Sequence, residues 1–111
     1  MRNTLTSPQS SLFVARDTDA DDLIVGTVVA TVVHTPDDVE GRIDDVAVLG
    51  EYRGNGIAKT LMKNTIAHLT EAGVLDIELT CAPHREAAGH LYEGLGFTER
   101  KTRVYKLHVK D

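Results

Sequence analysis

The chain has 111 residues, 41% of them hydrophobic, with a net charge of −5 and a single cysteine. That length makes one domain with enough apolar side chains for its own core; with no Trp and 5% aromatics, the core falls to Val, Leu, Ile and Ala. The acidic balance argues against nucleic acid or an anionic membrane as the main partner. No apolar run approaches the roughly 20 residues of a membrane span, and the polar opening is unlike a leader peptide. One cysteine excludes an internal disulfide and suits a reducing compartment, so a cytoplasmic location is expected.

Residues 1–10, rich in Ser and Thr with Pro8, read as a flexible lead-in to a single domain over 11–111. Ser11–Arg16 is a short strand, followed by an acidic turn with Asp17, Asp19, Asp21 and Asp22. That turn lacks the central glycine and distal Glu of a calcium loop and reads as a solvated hairpin turn. Leu23–Thr35 is a β-branched strand in which Gly26 marks a bulge or a close approach, and it pairs back on the first strand as a hairpin. After a connection at Pro36–Gly41 comes a strand at Arg42–Leu49. Strict alternation puts Ile43, Ala47 and Leu49 on one face and Val46 and Val48 on the other, with Asp44 and Asp45 on opposite faces. A helix opens near Gly56 or Ile57 and is stopped by Gly73; Ile57, Leu61, Thr65, His68 and Ala72 form its stripe, with Met62, Ile66 and Leu69 beside it. Leu75–Cys81 alternates as a strand, Arg85–Glu93 is a second helix, and Phe97–Thr98 and Thr102–Val109 read as a final pair of strands. The order β-β-β-α-β-α-β-β predicts an α/β (α+β) domain with a mixed sheet flanked by helices.

The stretch Asp44–Leu61 carries the chemistry. Strand, glycine loop and helix follow one another, so Gly54 and Gly56 can take positive φ while the helix start presents free N–H groups and the positive end of its dipole. Such a turn suits a phosphate or pyrophosphate. A P-loop fails, because Arg53 and Ala58 stand at its two glycine positions, although Lys59 and Thr60 match its end. A dinucleotide fingerprint fails because Lys59 stands at its third glycine. What fits is R-x-x-G-x-A, at Arg53, Gly56 and Ala58, which resembles the acyl-CoA loop of the GNAT N-acetyltransferases. A second stretch, A-x-x-L-Y-x-x-x-G-F from Ala88 to Phe97, resembles the other recurrent motif of that family, in the right order. The resemblance covers residues 11–109.

The resemblance implies a mostly antiparallel, GNAT-like acyl-CoA N-acyltransferase fold lacking that family's first strand and two helices. It implies acetyl-CoA as co-substrate, lying where Arg42–Leu49 and Leu75–Cys81 splay apart. Backbone groups of Val46, Ala47 and Val48 would meet the pantetheine and the thioester carbonyl. Those of Arg53, Gly54, Asn55, Gly56, Ile57 and Ala58 would hold the pyrophosphate. Arg85 stands where the family often has an Asn on the cofactor arm, and could meet a phosphate. Tyr92 matches the family tyrosine that serves as general acid toward the departing sulfur, and a phenol of ordinary pKa is protonated at pH 7. Asp44 and Asp45 are the candidate base, acting through water. The scattered histidines offer no metal-ligand set, so no metal is expected, and Cys81 is read as packing. The implied reaction is direct acetyl transfer to a primary amine of a small molecule or protein. The alternative is a non-catalytic module that binds CoA or a protein. A homodimer is expected, because a partner copy would cover the sheet flank those helices normally shield.

Overall fold

The computed structural model describes residues 9–80 and 86–110. Three antiparallel strands, β1 (Gln9–Asp17), β2 (Leu23–His34) and β3 (Val39–Val48), are followed by helix α1 (Ile57–Glu71), strand β4 (Asp76–Leu79) and helix α2 (Glu86–Gly94). The sheet order is β1-β2-β3-β4, with β4 parallel to β3, so the expected mixed and mostly antiparallel sheet is present. β3 begins three residues earlier than the pattern suggested. Thr35 and Asp38 exchange both backbone hydrogen bonds (2.8 and 3.3 Å) and close a tight turn, which frees Val39–Gly41 for the ladder.

Register puts Phe13, Val28, Ala30, Ile43 and Leu79 on one face of the sheet. α1 lies over that face with Leu61, Met62, Thr65 and Leu69 buried, and Tyr92 of α2 joins the same cluster. Thr65 is fully buried, and its hydroxyl donates to the Leu61 carbonyl at 2.7 Å, so burial leaves no polar group unmet there. Gly26 is where the helix comes closest: a Cβ there would stand 2.9 Å from Leu61 Cδ1 and 3.1 Å from Ile57 Cγ2. The expected close approach at Gly26 is therefore real, and β2 also carries one extra residue, Val25, opposite the Ala15–Arg16 step of β1. His68, read as part of the buried stripe, is exposed; its ring instead meets Phe13 edge-on at 5.1 Å.

Two expectations are corrected. β3 does not alternate strictly: Asp45 and Val46 together oppose Val28, and Asp45 has φ 54°. The extra residue shifts the phase, so Gly41 and Ile43 are buried in the first half, Val46 packs on the core in the second, and Ala47 and Leu49 are exposed. Nor are Phe97–Thr98 and Thr102–Val109 strands. Phe97 donates its N–H to the Tyr92 carbonyl at 3.0 Å as part of the turn closing α2, and residues 101–110 run exposed with no regular structure. Glu99–Thr102, where a hairpin would have to reverse, holds no Gly, Pro, Asn, Asp or Ser, the residues that dominate tight turns.

Candidate cofactor and active site

β3 and β4 pair through four residues only, from Glu40↔Asp76 to Ile43↔Leu79. β3 then continues for five residues, Asp44–Val48, with β2 on one side and no ladder partner on the other among the described residues. The bulge at Asp45–Val46 falls just past the last pair, Ile43↔Leu79, and residues 81–85, which follow β4, lie outside the described residues. Among the described residues a ladder fills only the β2 side of Val46, Ala47 and Val48, and on the other side the Val48 carbonyl accepts from Arg53.

Beyond β3 the chain makes a short 3-10 turn at Gly50–Tyr52 and enters the glycine loop. Gly54 and Gly56 have φ of 83° and 77°, and a Cβ at either would meet nothing within 4 Å. The loop thus has the conformation only glycine takes cheaply and an uncovered surface above it. Gly56 is the N-cap of α1 and contributes no side-chain cap, so the first N–H groups of the helix, at Ile57, Ala58 and Lys59, are left for an external acceptor. The Arg53 guanidinium turns back and donates to the Val48 carbonyl at 3.2 Å, tying loop to strand, and the Asn55 amide donates to the Tyr52 carbonyl at 3.3 Å. In this arrangement both side chains hold the loop's shape, and its anion-binding capacity lies in backbone amides.

One contributor escaped the sequence reading. The Tyr52 hydroxyl donates to Asp17 Oδ2 at 2.6 Å, while Asp17 Oδ1 accepts the Asp19 N–H at 2.9 Å. The acidic turn after β1 is therefore fastened to the loop before α1. The hydrogen bond to Asp17, reduced hydration and the Asp17 and Glu51 charges all raise the Tyr52 phenol above its ordinary 10.0. Thirty-five residues separate the partners, and no local pattern links them.

The remaining candidates fall in different places. Asp44 is half-buried and pairs with Arg42 at 3.3 Å on the face away from α1, whereas Asp45 is exposed at the bulge. Tyr92 is 8% exposed, with its ring edge-on to Phe97 at 6.2 Å. Arg85, like Cys81 and His84, lies outside the described residues. Among the described residues no cluster of His, Cys, Asp and Glu has metal-binding geometry. Among the described residues no helix is long and apolar enough to cross a membrane.

These features agree with what the chain is similar to. The sequence profile of the acetyltransferase (GNAT) family matches residues 1–97. The chain is 35% identical over 98 residues to N-alpha-acetyltransferase 30 of Schizosaccharomyces pombe, covering 87% of this chain and 63% of that protein. It is 32% identical over 93 residues to human N-acetyltransferase 8B, covering 82% of this chain and 40% of that one. The fold superposes on glucosamine-6-phosphate N-acetyltransferase of Arabidopsis thaliana with a TM-score of 0.76 at 19% identity, covering 88% of this chain and 66% of that one. The chain thus spans less than two thirds of the length of these two curated relatives. With the glycine loop, the bulged strand and the profile in agreement, the chain belongs to the GNAT family of acetyltransferases.

Proposed function

We propose that this chain binds acetyl-CoA and transfers its acetyl group directly to a primary amine, the α-amine of a peptide being the first acceptor to try. The observation that carries the cofactor reading is two sets of backbone donors on one side of the fold: the edge of Val46–Val48 that no described strand fills, and the open loop at Gly54–Gly56 with the uncapped start of α1. The acceptor class is supported by relatives named N-alpha-acetyltransferases.

Bound acetyl-CoA supplies an activated thioester. The amides of residues 54–58 receive the pyrophosphate, that of Arg53 being spent on the Gly50 carbonyl at 3.3 Å, aided by about half a unit of positive charge at the helix start. The free edge of Val46–Val48 pairs with the pantetheine arm and directs an N–H at the thioester carbonyl. As the neutral amine attacks that carbon, a fixed dipole there stabilises the developing oxyanion without reorganising. The C–S bond then breaks, and Tyr92 donates its phenolic proton to the departing thiolate. Asp44 or Asp45, through water, accepts the proton that the amine loses. Self-association of the chain and a cytoplasmic location belong to the same proposal.

The test is calorimetric titration of acetyl-CoA into the natural protein and into Gly56→Trp, with circular dichroism on both. The variant's indole would stand in the open space above the loop. Binding to the natural protein that vanishes in a folded variant supports the site. Equal binding by both would place the cofactor elsewhere. Binding without acetylation of a panel of peptide and small amines would favour the non-catalytic module.

A further inference from the structure

The Leu49 N–H donates to the Val25 carbonyl at 2.9 Å, the last backbone tie between β3's end and β2. From there the chain crosses Gly50–Gly56 to reach α1, a stretch that holds Gly50, Gly54 and Gly56. Glycine gives such a loop its positive φ angles and also opens many other conformations to it, so one shape persists only where bonds hold it. Most of the bonds here are local. The Tyr52 N–H donates to the Leu49 carbonyl at 2.9 Å and the Arg53 N–H to the Gly50 carbonyl at 3.3 Å, while the Arg53 guanidinium returns to Val48 at the end of the same strand. They curl the segment and stay close to the strand it leaves.

Tyr52 is different. From Leu49 to Gly56 every residue is exposed except Tyr52, which is half-buried. Its hydroxyl reaches across β2 to the end of β1, donating to Asp17 Oδ2 at 2.6 Å. A phenol donating to a carboxylate at that distance belongs to the strong class of charge-assisted bonds. The anchor is itself well held. Asp17 pairs with Leu23 on the last rung of the β1–β2 ladder, and its other oxygen accepts the Asp19 N–H at 2.9 Å. The Arg16 guanidinium closes the same turn onto the Asp22 carbonyl at 3.2 Å. On the loop side, the Tyr52 carbonyl accepts the side-chain amide of Asn55 at 3.3 Å, and Asn55 lies between the two glycines of positive φ. A chain of bonds thus runs from the β1–β2 turn through Tyr52 into the centre of the glycine loop.

We propose that Tyr52 and Asp17 are positioning residues for the cofactor: their bond holds the glycine loop in one shape, so that the amides of Gly54–Ala58 already converge when acetyl-CoA arrives. Neither side chain touches the cofactor in this role. The gain is preorganisation, because without the bond only a fraction of molecules carries a competent loop and the apparent affinity falls by that fraction. The assignment rests on the cofactor reading given above and adds what sets the loop's shape.

The experiment is calorimetric titration of acetyl-CoA into the natural chain, Tyr52→Phe, Asp17→Ala and the double variant, with ¹⁵N relaxation measured on the unliganded proteins. Tyr52→Phe keeps the ring and removes only the donor. Each single variant should bind roughly tenfold more weakly, and the double variant no more weakly than Asp17→Ala, since all three break one bond. In Tyr52→Phe the order parameters of Gly54, Asn55 and Gly56 should fall below about 0.6 while those of Leu61–Leu69 match the natural chain. A merely structural role would not single out the loop. Should Asp17→Ala fail to fold, Tyr52→Phe decides alone. A natural chain that does not bind acetyl-CoA overturns the cofactor reading and this assignment with it. A natural chain that binds, beside a Tyr52→Phe protein of equal affinity or unchanged loop order, overturns the positioning role alone, as do single losses that add in the double variant.

Discussion

Gly26→Ala tests how closely α1 is seated on the sheet. Carbon–carbon contacts are most favourable at about 3.5–4.0 Å. The added methyl would lie 2.9 Å from Leu61 Cδ1, 3.1 Å from Ile57 Cγ2 and 3.5 Å from the Ala47 carbonyl oxygen. Leu61 could relieve its part by turning, but at 5% exposure it is closely enclosed, and β-branched Ile57 is stiff at χ1. Such overpacking costs roughly 1–3 kcal/mol. Against it stands a gain of about 0.4–1 kcal/mol from restricting the unfolded chain. The packing term wins, leaving a net loss near 1 kcal/mol, or about 4 °C in melting temperature for a domain of this size. The first turn of α1 must also rise, moving the amides at Ile57–Lys59, so acetyl-CoA affinity should fall along with stability. Urea denaturation gives the first quantity and calorimetry the second. Leu61→Ala alone should cost roughly 2–5 kcal/mol, and in the double variant the two losses should be clearly less than additive. A Gly26→Ala protein as stable as the natural one, or strictly additive losses, would show that the contact does not constrain the helix.

Three further outcomes follow from the geometry. Tyr92→Phe should lower kcat by about 10²-fold and leave the KM for acetyl-CoA unchanged, measured by thiol release; an unaltered kcat would make Tyr92 a packing residue only. Tyr52 favours its protonated form in the fold, so its contribution to stability is whole below pH 10.0 and is lost as pH rises through the raised native value. Thermal melts from pH 8 to 11.5 should therefore show a steeper alkaline decline in the natural protein than in Tyr52→Phe, and parallel curves would refute the link to Asp17. Met62→Ala removes a side chain with no exposure and should cost roughly 2–5 kcal/mol in chemical denaturation, whereas a loss under 1 kcal/mol would mean that the core recloses around the gap.

Local pattern and spacing carried much of this fold. The hairpin, the glycine loop and α1 were legible because each rests on neighbouring residues: β-branched runs, glycines free to take positive φ, and a stripe of period 3.6. Three features were not. The Asp45 bulge inserts a residue into a stretch whose composition is compatible with plain alternation, and only the pairing with Val28 exposes it. The bond between Tyr52 and Asp17 joins two turns remote in sequence. The expected terminal strands had the right residues, but a strand exists only with a partner edge, and that depends on the path of the chain at Glu99–Thr102. For the site, the glycines could be anticipated. The backward turn of Arg53 onto Val48 could not be chosen from sequence over an outward reach toward phosphate.

The extra residue in β3 acts as a frame shift written in backbone rather than in codons. Before it, odd-numbered positions, Gly41 and Ile43, face the core; after it, the even-numbered Val46 does so. A chain shortened by one residue at Asp45 would keep its apolar inventory and even restore regular pairing with β2. The inward turn of Val46 is then the by-product of a counting mismatch between two neighbouring strands, and it can be erased without touching a single residue of the glycine loop.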